Sequence, residues 1–336
     1  MKKYNVAILG ATGAVGQEML KVLEEYDIPV EKLLPLASAK SAGGTVSFKG
    51  EDVKIEEARE DSFAGMDFVL GAVKNPMSRR FAPAIVKSGA VYIDNSSAFR
   101  MDPEVPLVVP EINGEDAFKN KGIIANPNCT TAIMAVAVYP LHKAKKVRRL
   151  IASTYQAASG GGAPAMQELI DQSRAVLEGK PVEVKVMAQR IAFNLFPHID
   201  SFKENGYTKE EIKMVNETKK IMHAPEMLIT CTSVRVPVLR AHSESLNLEF
   251  EEDITPEEAR AIIAAAPGVE LRDNPAEKIY PMPVDATGKY DVLVGRIRQD
   301  ISRNDKKGLE MFVSGDQLLK GAALNAVQIA EVLNSK

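Results

Sequence analysis

The chain has 336 residues, 45% hydrophobic and 26% charged, with a formal net charge of −3. That length predicts two domains, each able to bury its own core. The charge balance, with no basic block, argues against a nucleic-acid partner, and no apolar run approaches the roughly 18 residues of a membrane span. Two cysteines, Cys129 and Cys231, do not make a disulfide framework and fit a reducing compartment. The start, Met1-Lys2-Lys3-Tyr4, lacks the apolar core of a signal peptide. The expectation is a cytoplasmic protein.

Tyr4 to Leu9 reads as a short strand, and Gly10-Ala11-Thr12-Gly13-Ala14-Val15-Gly16 follows at once. Val15, Met19, Val22 and Tyr26 then recur at helical spacing. Strand, glycine turn and helix in that order form the context of a dinucleotide-binding turn. Glycines let the backbone approach a pyrophosphate, which sits on the helix N-terminus. The second strand, Leu33 to Ala37, runs into Ser38-Ala39-Lys40-Ser41-Ala42-Gly43. An NAD site usually carries an acidic residue at this strand end for the ribose 2′-hydroxyl. Two hydroxyls (Ser38 and Ser41) and the Lys40 ammonium suit a 2′-phosphate, so NADP is expected.

Phe68 to Val73, Val91 to Asp94, Leu107 to Val109 and Gly122 to Ala125 are further strand-like runs, with a helix predicted over Met77 to Ser88. Strands alternating with helices predict a doubly wound, mostly parallel sheet. Asp94-Asn95-Ser96-Ser97-Ala98-Phe99-Arg100 is a hydroxyl-rich loop ending in an arginine, a candidate anion site. At Asn126-Pro127-Asn128-Cys129-Thr130-Thr131 a strand hands over to a helix predicted for Ala132 to Leu141. Free backbone N–H groups and the positive end of the helix dipole there favour a Cys129 thiolate, the nucleophilic form.

Beyond the cysteine the pattern changes to strands and helices in blocks, a mixed α+β domain with a largely antiparallel sheet. Arg149 to Tyr155 is a strand ending in Gln156 and the Ser159-Gly160-Gly161-Gly162 turn; a helix spans Ala165 to Glu178. Thr208 and Glu211 form a capping box, as do Thr255 and Glu258 with Pro256 at N1. Glu210 and Lys213 share a helix face. Leu228 to Arg240 reads as one strand-rich stretch, and strict alternation would put Arg235 and His242 on opposite faces unless Pro237 bends it. Leu246, Leu248 and Phe250 alternate as a half-buried strand, Val292 to Ile297 and Leu309 to Val313 are strands, and Asp316 to Leu333 is a final helix.

A cysteine at a helix start, a distant histidine and an NADP turn point to one reaction class. A thiolate attacks a carbonyl carbon, the histidine manages the proton, and a hydride passes between an acyl-thioester and the nicotinamide. The four histidines and two cysteines have no metal-ligand spacing, so no metal is expected. Cys231 is expected to be a core residue, and His142, His198 and His223 to do no chemistry.

These motifs, in this order along nearly the whole chain, resemble the aspartate-β-semialdehyde dehydrogenases. The resemblance rests on the Gly10–Gly16 turn, the Ser38–Gly43 loop, Ser96–Arg100, Asn126–Thr131, Tyr155-Gln156 and Arg235 through His242. It implies reversible NADP-dependent conversion of L-4-aspartyl phosphate to L-aspartate-4-semialdehyde and phosphate, a step toward lysine (through diaminopimelate), methionine, threonine and isoleucine. On that resemblance Cys129 is the nucleophile, His242 the general acid/base, and Gln156 orients the acyl intermediate. Arg100 and Lys213 hold phosphate, Arg235 the substrate α-carboxylate and Glu210 its α-amino group. Gly10, Thr12, Gly13, Ala14, Val15, Gly16, Ser38, Lys40, Ser41, Ser159, Gly160 and Gln317 serve the cofactor. It also implies a homodimer built through the second domain and a C-terminal helix that completes the first. The expected partition is 1–128 with 315–336 as the Rossmann-like NADP domain, and 129–314 as the catalytic and dimerisation domain. An N-acetyl-γ-glutamyl-phosphate reductase shares this logic but usually reads Pro-Gly-Cys-Tyr where this chain has Pro127-Asn128-Cys129-Thr130. A malonyl-CoA reductase is a remoter option on the same scaffold. A catalytically silent NADP-binding sensor is the reading from another class, and retention of Cys129 and His242 argues against it.

Overall fold

A computed structural model describes residues 3–26 and 28–335. Met1, Lys2, Asp27 and Lys336, including the first two residues of the start read above, lie outside the described residues. The chain forms two compact units, Met1–Asn128 with Ala322–Lys336, and Cys129–Gly321.

The first unit begins with β1 (Tyr4–Leu9), α1 (Ala14–Glu25) and β2 (Val30–Ala37), followed by a small hairpin, β3 (Thr45–Phe48) and β4 (Glu51–Lys54). The two-residue β5 (Glu56–Glu57), β6 (Phe68–Gly71), α2 (Asn75–Lys87), β7 (Val91–Asp94), α3 (Pro110–Asn113) and β8 (Ile123–Ala125) complete the run. The main sheet has the order β5-β2-β1-β6-β7-β8, and every pair is parallel. The chain leaves β1 to one side for β2 and returns to its other side for β6. Such a switch point is where doubly wound sheets open a crevice at their strand ends. Leu9, Leu36 and Val69 from the strands pack with Phe63, Phe81 and Ile85 into a core. The C-terminal helix, Leu324–Asn334, packs on α1, α3, β6 and β7.

The second unit holds α4 (Cys129–Lys145), β9 (Val147–Gln156), α5 (Ala163–Leu177), α6 (Lys209–Ile221), β10 (Leu228–Arg235) and β11 (His242–Phe250). Then come α7 (Pro256–Ala264), β12 (Val269–Leu271), α8 (Pro283–Ala286), β13 (Val292–Gln299) and β14 (Gly308–Gly315). The sheet order is β10-β9-β11-β14-β13-β12, antiparallel through the middle and parallel at both edge pairs. Nearly every residue of α4 from Thr130 to Val138 is fully buried, because the helix lies against the sheet on one side and against α6 and α7 on others.

Several elements differ from expectation for identifiable reasons. Leu107–Val109 makes a single bridge, Leu107 to Ala125, rather than a strand. Pro106 and Pro110 flank it and supply no backbone donor, and Pro110 already opens α3. The final helix starts at Leu319, not Asp316: a π-helical segment, Leu319–Ala323, runs on into the α-helix Leu324–Asn334. Residues 315–321 belong with the second unit, where Gly315 pairs with His242. The stretch Leu228 to Arg240 is not one bent strand: β10 stops at Arg235 and β11 begins at His242. The Thr208–Glu211 box forms on both sides, whereas at Thr255 only the hydroxyl accepts its bond; Glu258 turns instead to Lys145 at 3.2 Å. Among the described residues no helix is long and apolar enough to cross a membrane.

Candidate active site

In the second unit, sheet register assembles the site. Arg235 on β10 pairs with Gln156 on β9, and one step beyond the Ser243–Tyr155 pair His242 lies opposite Gln156. Partners across a ladder point to the same face. Arg235, Gln156 and His242 therefore form one row, which periodicity along a single strand could not reveal. They are 7%, 1% and 0% exposed, so the row is buried. The next row on that face is Ser233, Thr154, Glu244 and Val313.

Cys129 is the first residue of α4 and half-buried. Gly321 lies against it: a Cβ at 321 would come 2.7 Å from the Cys129 Cβ. Gly160 lies against the row. A Cβ there would meet Arg235 Nη1 at 3.1 Å and His242 Cε1 and Nε2 at 3.3 Å, so the arginine and the histidine converge on one point. Burial pushes the Arg235 guanidinium below its ordinary value, and the nearby Cys129 and Glu210 act against that shift. Arg235 Nη1 also donates to the Ala157 carbonyl.

The ring of His242 is fixed in one tautomer. The Ala157 N–H donates to Nδ1 at 3.0 Å. A backbone N–H can only donate, so Nδ1 keeps its lone pair and the proton of the neutral ring sits on Nε2. Nε2 itself has no protein partner among the described residues. Burial first, and then the Arg235 charge, push His242 down to about 3, against a smaller opposing contribution from the Ala241 backbone.

Residues 5–120 match the model of the semialdehyde dehydrogenase NAD binding domain, and residues 138–320 that of the semialdehyde dehydrogenase dimerisation domain. An aspartate-semialdehyde dehydrogenase from Synechocystis sp. is 55% identical over 328 residues, spanning 98% of this chain and 96% of its own. The chain belongs to the aspartate-semialdehyde dehydrogenase family. The crystal structure of aspartate semialdehyde dehydrogenase II complexed with ASA from Vibrio cholerae superposes with a TM-score of 0.97 at 43% identity, covering 100% of this chain and 99% of that one. The aspartate semialdehyde dehydrogenase with NADP from Candida albicans gives 0.77 at 25% identity, with 99% of each chain covered. The family is one of oxidoreductases, and the parallel-sheet unit carries its NAD-binding match.

Elsewhere in the second unit of this family member, Lys213 Nζ bonds Asp200 at 2.8 Å and Glu210 at 3.1 Å. Burial works against the Lys213 charge, but Glu210 and Asp200 outweigh it and hold the ammonium above its ordinary value. Asp200, thirteen residues before Lys213 and outside any periodic pattern, had no sequence signal. Gln156 donates to Thr154 Oγ1 at 3.3 Å. Ser159 is buried and exchanges a hydrogen bond with Gln317, itself 2% exposed. Glu244 is fully buried with neither carboxylate oxygen partnered among the described residues, and burial pushes it well above the usual carboxylate range. Cys231, also buried, has its thiol raised by burial and by Glu244 and Glu211. It is a core residue.

In the first unit, Gly10 has φ +96°, and a Cβ there would sit 2.6 Å from the Ala72 carbonyl oxygen. Only glycine holds that turn. Gly13 caps α1 with no side-chain bond to the helix start, Thr12 and Gly13 are exposed, Ala14 and Val15 are half-buried, and Gly16 packs under Gly10. A glycine cradle at an uncapped helix start is what a pyrophosphate requires. Ser38, Ala39 and Lys40 are exposed just past β2, and Ser41 folds back to Ser38 at 2.9 Å, with no acid in the turn. Arg100 is buried, its Nε donating to the Asn126 carbonyl at 2.8 Å and its Nη2 to the Asn95 carbonyl at 2.7 Å. Asp94 shapes that loop by accepting from the Ser96 N–H at 3.0 Å and its hydroxyl at 2.6 Å. Asn126 also donates to Asn95 at 2.8 Å and accepts from Asn325 at 2.6 Å, tying the arginine loop to the C-terminal helix.

Proposed function

We propose that the protein is an NADP-dependent aspartate-semialdehyde dehydrogenase that reversibly converts L-4-aspartyl phosphate to L-aspartate-4-semialdehyde and phosphate. This places it in the biosynthesis of lysine through diaminopimelate and of methionine, threonine and isoleucine, as a homodimer built through its second domain. The observation that carries the reading is the convergence of Arg235 and His242 on Gly160, with the Arg235 charge felt at Cys129. A nucleophile at a helix start beside a guanidinium is favoured as thiolate.

In the biosynthetic direction Cys129 Sγ attacks the acyl-phosphate carbon, the carbonyl electrons move to oxygen, and the C–O bond breaks to expel phosphate. Phosphate takes up the one proton that the overall reaction consumes. When bound, the dinucleotide supplies the hydride that reduces the thioester, and the C–S bond then breaks to return the thiolate. Negative charge builds on the same acyl oxygen in both halves. His242, a neutral ring with its proton on Nε2, enters as the hydrogen-bond donor for that oxygen, while Gln156 orients the acyl group. Arg235 matches the α-carboxylate and Glu210 the α-ammonium; Arg100 and Lys213 supply cations for phosphate. The Gly10–Gly16 cradle, with Thr12, Ala14 and Val15, suits the pyrophosphate, and Ser38, Lys40 and Ser41 a 2′-phosphate. Ser159 and Gly160 stand on the nicotinamide side of this scheme.

A phosphate-dependent assay of NADP reduction tests the reading, with L-aspartate-4-semialdehyde beside N-acetylglutamate semialdehyde. Turnover of the first substrate is expected; preference for the second would replace the reading with N-acetyl-γ-glutamyl-phosphate reductase.

A further inference from the structure

His242 is held from two directions, and one side chain spans both. On its N-terminal side lies Ala241, a fully buried non-glycine residue with φ +72°. An L-residue in that region is strained and persists only where its surroundings hold it. Here the Ala241 N–H donates to Gln317 Oε1 at 2.8 Å. On the other side, the Ala157 N–H meets Nδ1, and Ala157 leads into the short turn Ala158–Gly161. The Gln317 amide reaches that same turn by donating to Ser159 Oγ. Backbone bonds zip the two segments together: Ala158 N–H to Val238 at 2.8 Å and Ser159 N–H to Leu239 at 3.0 Å. Gln317 is itself fixed by its neighbour. Asp316, fully buried, accepts from Arg240 Nε at 2.7 Å, Gly288 N–H at 2.7 Å and Leu318 N–H at 2.9 Å.

We propose that Gln317 is a positioning residue for His242: it locks Ala241 and the Ser159 turn so that Nδ1 accepts from Ala157 and Nε2–H stands as a fixed donor. The inference rests on the role given to His242 above, and it assigns Gln317 a task other than nicotinamide contact. Both ends of its amide are spent within the second unit, one on each segment that holds the ring. The charge that bears on the ring's protonation is Arg235 on β10; Glu244 on β11, one row away, is itself held above the usual carboxylate range by burial, and Arg240 is paired with Asp316. None of them is changed by replacing Gln317.

The test uses the full-length protein with nitrogen-15 in its histidines, four in number, His242 being assigned by loss of its signals in His242→Asn. Wild type is expected to show a pyrrole-type Nε2 and a pyridine-type Nδ1 that persist on acidification. Gln317→Leu should give averaged nitrogen signals that titrate closer to the ordinary histidine range. Its kcat should fall on the order of 100-fold, the scale of a small misplacement of a catalytic group, while NADP affinity by direct titration stays within about threefold of wild type. Gln317→Glu keeps an oxygen for Ala241 and should restore part of the tautomer signature. Ser159→Ala cuts the other anchor and should shift the signals in the same sense, so the test survives if the leucine variant does not fold. Unchanged His242 signals in these variants, or a loss confined to NADP affinity, would overturn the proposal. The spectra read positioning even if aspartate semialdehyde proves not to be the substrate, in which case only the functional reading fails.

Discussion

His242→Asn gives a stability experiment whose size follows from the site. The folded protein holds this histidine down at about 3, against an ordinary value of 6.5. The unfolded chain therefore binds a proton between those values that the folded chain refuses. The sign follows: the neutral ring costs nothing above about pH 6.5, and stability is lost as pH falls from there toward 3. The slope for one proton is about 1.4 kcal/mol per pH unit, so moving from about pH 8 to about pH 5 removes roughly 2 kcal/mol through this one group. Asparagine cannot titrate, and its oxygen can take over the Ala157 N–H. The difference in stability between His242→Asn and wild type should therefore move by about 2 kcal/mol in the variant's favour over that range. Hydrogen exchange of β11 amides across a urea series reads the unfolding of the second unit directly. Parallel pH profiles for the two proteins would show that His242 charges freely in the fold, and the buried neutral donor would have to be abandoned.

Glu244 carries the opposite sign. Its folded value is raised well above the ordinary 4.5 by burial, so its contribution is lost as pH rises; Glu244→Gln should gain stability over wild type progressively above that value, and a pH-independent difference in urea midpoint would contradict it. Gly160→Ala places a methyl 3.1 Å from Arg235 Nη1 and 3.3 Å from the His242 ring without demanding an unusual backbone angle. Its kcat should drop on the order of 100-fold with little change in thermal midpoint; retained activity would mean the convergence point is not where the acyl group sits. Lys40→Glu should reverse the preference for NADPH over NADH in competition kinetics, and an unchanged ratio would remove Lys40 from the 2′-phosphate site.

What the sequence disclosed was what is local. The Gly10–Gly16 turn sits between a strand and a helix that announce themselves by period, and the Thr208–Glu211 box closes within one helical turn. The residues that make the histidine usable are joined by register and crossover instead. Arg235, Gln156 and His242 stand on three different strands, and the Ala157 N–H that fixes the ring lies 85 positions from it. Gly321 beside Cys129, and Asp316 beneath Arg240, carry no motif at all. The alternation rule that separated Arg235 from His242 failed because it assumed one strand where the chain turns between two. The expected final helix failed over Asp316 and Gln317 for a related reason: both side chains are committed to the segment before His242.

The central claim is that Cys129 carries the acyl group. Its most direct test is a burst measurement: protein mixed with NADP and L-aspartate-4-semialdehyde in the absence of phosphate. A Cys129 thioester should give a single equivalent of NADPH per active site, a stable acyl adduct on Cys129 by intact mass spectrometry, and renewed turnover once phosphate is added, all absent in Cys129→Ala. A full burst in Cys129→Ala, or steady turnover without phosphate and without an adduct, would contradict it.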